Sequence, residues 1–289
     1  MALSDALPYQ GTVAVLATKH AKQRVIGPVL REGLGLIVEV AETVDTDQFG
    51  TFTGEIERKG SQLDAAHAKI AAAFKCFPSA RVAIASEGSF GPHPYIPFLP
   101  LGRELVVLAD RDKKLVLVGH HAGSETNYGH KIVKDCAEAA SFAEMVKFPS
   151  HGLIVMGCAN EAPETGRFLD KDVTDFKQLK MAVAQAVGIC GSAFIQTDMR
   201  AHRNPTRMEA IERAANDLVR LCKSQCPQCS WPGFDVTERV PGLPCSYCGE
   251  PTIVMLKHVL VCGACKHREE RPASDLQEAD PGQCPQCNP

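Results

Sequence analysis

The chain has 289 residues, 45% hydrophobic and 22% charged, which is enough for one large core and a small second module. Its formal net charge of −3 excludes a global electrostatic pull toward nucleic acid or an anionic membrane. No apolar run approaches the roughly 18 residues of a membrane span, and residues 1–10 lack the basic start and apolar stretch of a secretory signal. The expected location is therefore cytoplasmic, with thiols reduced.

In chain order, residues 12–17 (TVAVLA) form a β-branched, nearly continuous apolar run, the pattern of a strand covered on both faces. Helical spacing follows through Val25, Ile26, Val29 and Leu30, with Pro28 expected to delay or kink it. Residues 34–40 read as a second strand. Ser61 can cap a helix whose inner stripe is Leu63, Ala66, Ile70 and Phe74, with Asp64 and Lys69 off that face. Residues 81–85 read as a strand that ends abruptly in the polar loop 86–94 (SEGSFGPHP). Residues 104–109 and 114–119 flank a four-residue polar turn and suggest a β-hairpin.

Further on, the pattern gives a helix over 131–146, a buried strand over 152–157, a helix over 175–187 and a short strand over 193–196. Asn204 before Pro205 is a good cap for a final helix with Met208, Ile211, Ala215 and Leu218 on one face. The alternation predicts an α/β domain over 1–222, with a mixed, mainly parallel sheet flanked by helices, followed by a zinc-ribbon module over 223–289.

In an open α/β sheet, ligands bind beyond the carboxyl ends of the strands. Here the expected strand ends feed out Lys19 and His20, then Asp45 and Asp47, then Ser86 and Glu87, then His120 and His121, then Asn160, and finally Arg200, His202 and Arg203. This points to a cleft that takes a small anionic or phosphorylated metabolite. Lys19, His20, Glu87 and His202 are the candidate catalytic groups, since imidazole titrates near neutrality. Ser86, Ser89, His93, Arg200 and Arg203 are candidate substrate contacts, the arginines through their planar fork. Asp45 and Asp47 are candidate ligands for Mg²⁺ or Mn²⁺, because hard cations prefer carboxylate oxygen.

Eight of the thirteen cysteines fall in the last quarter as four C-x2-C pairs: Cys226 and Cys229, Cys245 and Cys248, Cys262 and Cys265, Cys284 and Cys287. Two pairs make a tetrahedral four-thiolate site with no position open to water, so two structural zinc ions are expected. The β-rich runs at 252–255 and 258–261 suggest a ribbon hairpin between the second and third pairs. That favours a nested arrangement, second pair with third and first with fourth, with sequential pairing as the alternative. From 223 to 289 there are six Lys or Arg against eight Asp or Glu, 6 − 8 = −2, a poor charge for tracking phosphates. A non-enzymatic module, sensing a ligand and contacting protein or nucleic acid through the tail, is the alternative function.

The phrases LATKHAKQ, DTDQFGTFTGEIER, ASEGSFGPHP and TDMRAHRNPTRM, followed by the paired cysteines, resemble a family of uncharacterised, mostly bacterial proteins known only as a domain of unknown function. The resemblance covers essentially the whole chain. It implies an α/β domain with a C-terminal zinc ribbon and no particular activity.

Overall fold

The computed structural model describes residues 7–46, 48 and 60–289. The chain divides into two units, Met1–Val219 and Arg220–Pro289.

The first unit opens with β1 (Val13–Ala17), α1 (Gln23–Leu34) and β2 (Ile37–Val40). The apolar run makes β1 a central strand, parallel to β2 on one side and to β3 (Val82–Pro92) on the other. Pro28 lies within α1 without ending it. The helix stops at Gly35, whose φ of 76° is open to glycine and whose amide returns to the carbonyl of Arg31. α2 (Gln62–Cys76) begins in a capping box: the Ser61 side chain accepts from the Asp64 amide, and the Asp64 carboxylate accepts from the Ser61 amide.

The strand expected to end at residue 85 does not end there. β3 runs on to Pro92, antiparallel to β4 (Pro100–Asp110) in unbroken register from Val82 opposite Asp110 to Pro92 opposite Pro100. Residues 86–92 are therefore strand, and the loop is the hairpin tip beyond them. β4 continues into β5 (Leu115–Gly123), and the sheet order is β2-β1-β3-β4-β5.

A second sheet holds β6 (His130–Val133), β7 (Leu153–Ala159), β8 (Ala162–Val173) and β9 (Ser192–Thr197), in the order β6-β9-β7-β8 with antiparallel pairings. The mainly parallel sheet expected from the alternation is thus corrected: parallel pairing of strands among the described residues is confined to β1 with β2 and β1 with β3, beside one isolated parallel bridge between Cys245 and Ala279. The cause is local. Asn160 and Glu161 both have positive φ, 51° and 62°, the two-residue turn of a tight hairpin, so β7 returns as β8 where a parallel sheet would need a helical crossover. The helix expected over 131–146 is also shorter, because β6 occupies its start. α3 (Cys136–Met145) begins only after Asp135, whose carboxylate accepts from the amides of Ala137 and Glu138. Phe142 of α3, and Leu179 and Val183 of α4 (Phe176–Cys190), bury against Val155 and Ile195 of this sheet.

α5 (Pro205–Lys223) starts as predicted, with Asn204 Oδ1 accepting from the Arg207 amide. Its buried stripe includes Ile211, Ala214, Ala215 and Leu218. The helix backbone lies directly on β5 at Gly119, where a Cβ would overlap the Ala214 carbonyl oxygen and the Leu218 amide.

The second unit is a three-stranded antiparallel sheet, β10 (Asp235–Pro241), β11 (Met255–Val261) and β12 (Arg268–Pro272), in that order. One cluster of its core joins Phe234 and Leu260 with Cys226 and Cys262, flanked by Trp231 and Val236, and Leu243, Val259 and Ala279 are also buried. Among the described residues no helix is long and apolar enough to cross a membrane.

Gly119→Ala must push α5 off the sheet and is expected to destabilise the chain by about 1–3 kcal/mol, read from denaturant unfolding. Gly166→Ala, with no atom near the added Cβ, should change stability by less than about 0.5 kcal/mol.

Candidate functional site

Ser86, Glu87 and Gly88 lie mid-strand in β3, and alternation sends Glu87 to one face of the sheet and Ser86 and Gly88 to the other. On the first face α2 presents Lys69, which pairs with the Glu87 carboxylate while both side chains are at most 10% exposed. Gln62 Nε2 donates to the Glu87 carbonyl at 2.7 Å and ties the start of α2 to the same point.

On the second face the Lys22 side chain runs inward from the start of α1. Its Nζ donates to the Ser86 carbonyl oxygen at 2.9 Å and to Ser86 Oγ at 3.3 Å. Gly88 stands opposite Glu104 of β4. Glu104 Oε1 accepts from Arg207 Nε at 2.7 Å with both side chains sealed from solvent, and Arg207 Nη1 donates to the Met199 carbonyl. A Cβ at position 88 would overlap Glu104 Oε1 and stand 2.6 Å from Arg207 Nη2, so glycine is what lets this pair close against the strand. Phe90, two residues on, covers the guanidinium at 5.2 Å.

Five charged side chains from α1, α2, β3, β4 and α5 are thus buried around three consecutive residues of β3. Two cations are matched to two carboxylates, Lys69 with Glu87 and Arg207 with Glu104. Lys22 is the remaining cation. Burial is the largest cause, and the nearby Arg207 the second, of a fall in its pKa from 10.5 to about 7. Isolated buried charge is costly, so a cluster with an odd cation is a candidate for function more than for stability.

The residues singled out by sequence separate into groups. Ser86 and Glu87 belong to the cluster. His20 and His202 stack with ring centroids 5.2 Å apart and join the β1–α1 connection to the 3-10 turn Ala201–Arg203. Partial desolvation and the adjacent Arg200 shift the His202 imidazole below its ordinary pKa.

Other candidates are committed elsewhere. Lys19 pairs with Asp45 at 2.5 Å on the surface. Arg200 is held by the buried carboxylate of Asp198, at 3.1 and 3.0 Å from Nε, and reaches Asp172, which Arg203 shares at 3.3 Å. Ser89 is in the β3–β4 ladder opposite Arg103. His93 sits at the hairpin tip, where its Nδ1 accepts from the Tyr95 amide. His120 and His121 lie within β5, not at a strand end, and Asn160 is a hairpin turn. Asp47 lies outside the described residues.

Four members of the cluster were not singled out: Lys22, Lys69, Glu104 and Arg207. Lys69 was placed off the inner face, yet it is one turn from Ala65 and Ala73, both buried. Arg207 is likewise one turn before the buried Ile211. The signal was there, as a charge at a core position.

In the second unit the cysteines form two sets that can each hold a metal ion: Cys226, Cys229, Cys262 and Cys265, and Cys245, Cys248, Cys284 and Cys287. The pairing is interleaved, first pair with third and second with fourth, which corrects both the nested and the sequential arrangements. Between the second and third pairs there is one strand where two were expected: β11 (Met255–Val261) takes in the run 258–261 and only Met255 of the run 252–255. Each of the three antiparallel strands therefore separates one cysteine pair from the next, and pairs one and three meet at one end of the sheet while two and four meet at the other.

The donor set fits a tetrahedral ion. Metal–sulfur bonds of about 2.3 Å put sulfurs about 3.8 Å apart. The observed Sγ separations are 3.7 Å for Cys226 to Cys265, 3.6 Å for Cys229 to Cys262, 3.9 Å for Cys245 to Cys287 and 3.7 Å for Cys248 to Cys284. In each pair the carbonyl of the first cysteine accepts from the residue just past the second, Ser230, Gly249, Lys266 and Asn288 in turn. Three of those four residues have positive φ. Amides of Cys248 and Tyr247 aimed at Cys245 lower its thiol pKa to about 7.

A family model described as Domain of unknown function (DUF6671) matches residues 76–289, which include Glu87, Glu104, Arg207 and all eight paired cysteines. No curated protein matches the chain.

The interleaved pairing predicts metal stoichiometry. Cys226→Ser with Cys262→Ser should leave one of two ions bound, whereas Cys226→Ser with Cys284→Ser should lose both; equal losses would refute the pairing. The cluster predicts a pH dependence. Lys22 is protonated below 10.5 when unfolded but only below about 7 when folded, so the unfolded chain binds more protons in between and stability rises with pH across that window. Lys22→Met should remove a slope of up to about 1.4 kcal/mol per pH unit, measured by denaturant unfolding at pH 7, 8 and 9.

Proposed function

The chain belongs to the DUF6671 family, whose description names no activity, and we propose from its own residues that it is an enzyme acting on a small anionic or phosphorylated metabolite, by hydrolysis or group transfer. The observation that carries this reading is the buried charge on β3: among the described residues Lys69 pairs with Glu87 on one face of the strand, and on the other face Lys22 and Arg207 meet one carboxylate, Glu104. Lys22 exchanges its proton near pH 7, so an anion entering this site supplies the counter-charge of the protonated form, while the unprotonated form leaves the cluster balanced. The stacked pair His20 and His202 lies on the connections that lead to Lys22 and Arg207, and imidazole there suits proton transfer.

The two cysteine sets are read as structural zinc sites, since four thiolates at tetrahedral spacing select zinc and close its coordination. Each ion would contribute to folding a module whose apolar core is only a few side chains. A divalent ion on Asp45 has no support among the described residues, because that carboxylate is engaged by Lys19. The tail, with six basic against eight acidic side chains, weighs against the alternative of a nucleic-acid-binding module.

A thermal-shift and turnover screen of the zinc-loaded chain tests the reading, with inorganic phosphate, sugar phosphates, nucleotides and small carboxylates as ligands. At least one anion should raise the melting temperature and be turned over, and Lys22→Met should abolish both responses. A screen without response, or one unchanged in Lys22→Met, overturns it. Element analysis of the same preparation should return two zinc per chain.

A further inference from the structure

We propose that Lys22 is a reactive amine that forms an imine with a carbonyl compound bearing an anionic group, an assignment that rests on the reading of this cluster as an anion site. The hydrogen-bond inventory of the nitrogen is the first argument. An ammonium carries three N–H donors, but Lys22 Nζ meets only two acceptors among the described residues, both on Ser86. A neutral amine has two donors, which those acceptors use completely, and its lone pair is left unengaged.

The second argument is charge. No described carboxylate lies within ion-pair distance of Lys22, because Glu87 is taken by Lys69 and Glu104 by Arg207. Arg207 and Lys69 oppose a further positive charge there, Glu104 and Glu87 favour it, and burial outweighs both, leaving an amine that titrates near 7. A lysine kept neutral by burial and neighbouring cations is a nucleophile at neutral pH. The third argument is a proton relay. Glu104 Oε2 is buried and has no hydrogen-bond partner among the described residues, so this carboxylate has one oxygen engaged by Arg207 and one available.

The step is balanced. The Nζ lone pair forms a bond to the carbonyl carbon as the C=O π bond breaks toward oxygen, and a proton passes from nitrogen to that oxygen to give a carbinolamine. A second proton, delivered through Glu104, lets the hydroxyl leave as water while nitrogen forms the C=N bond. Amine, carbonyl compound and one proton become iminium and water, with no oxidant or reductant.

The test uses the full chain with glyoxylate or pyruvate as probe at pH 7, sodium cyanoborohydride to trap the imine, and peptide mapping by mass spectrometry. Lys22 should carry the reduced adduct at roughly tenfold or more the level on an exposed lysine such as Lys177, since a pKa lowered to about 7 leaves a large share of the Lys22 amine unprotonated at the pH of the test. Inorganic phosphate should suppress the adduct. Lys22→Arg should abolish it, and if that variant does not fold, the map of the unaltered chain still decides. Adducts spread over exposed lysines with Lys22 unmodified overturn the proposal. If phosphate or glyoxylate raises the melting temperature without an adduct on Lys22, the imine fails and the anion site stands; with neither, both fail.

Discussion

The ion pair between Arg207 and Glu104 is the constraint on which the first unit's site depends. Neither side chain reaches solvent, and each would be costly there alone. Closing the pair requires a glycine at 88, which in turn brings the backbone of β3 against the two charged groups. It also fixes where α5 begins, because the arginine that reaches Glu104 is the residue whose amide caps onto Asn204. With Arg207 and Glu104 matched to each other, and Lys69 and Glu87 matched to each other, Lys22 is left without a counter-charge among the described residues. The reactivity of one side chain is a consequence of how its neighbours are satisfied.

This also explains which parts of the site were legible in the sequence. Ser86 and Glu87 stood out because a polar group directly after an apolar run is conspicuous. Lys69 and Arg207 were passed over because a single charge on an otherwise apolar helical face is normally assigned to the surface by its chemistry, against its spacing. Position decided here: residues one turn away on either side of Lys69 are buried, and the lysine is buried with them. Glu104 was hidden in the same way, within β4, whose alternate residues Val106 and Leu108 are core. The surface arginines attracted attention for the right chemistry but pair locally with Asp198 and Asp172.

Elements with strong local signals came through. The β1 run, the Ser61 capping box and the Asn204–Pro205 helix start are each decided by neighbouring residues. Strand direction is not. Whether β7 is followed by a crossover or a hairpin turns on the φ angles of Asn160 and Glu161, and a sequence with no glycine at that turn gives little warning. The same omission extended the polar loop at 86–94, since nothing in β3 alone shows that β4 will pair with it as far as Pro92.

The cysteines show the opposite case, in which the residues were evident and the topology decided the pairing. Four C-x2-C turns separated by three antiparallel strands must alternate between the two ends of the sheet. Adjacent pairs are therefore held apart by a strand of five to seven residues, about 16–23 Å at 3.3 Å per residue, and cannot share an ion. Interleaving follows from counting strands, and the error lay in expecting two strands where there is one, β11. Each set joins segments separated by two strands, β10 and β11 for the first and β11 and β12 for the second, so an ion in either set would tie those segments together beside the apolar cluster around Phe234 and Leu260. Four thiolates filling a tetrahedron leave no position for substrate, so the enzymatic reading proposed above rests on the buried cluster of the first unit, where burial and neighbouring charges lower the pKa of one amine to about 7.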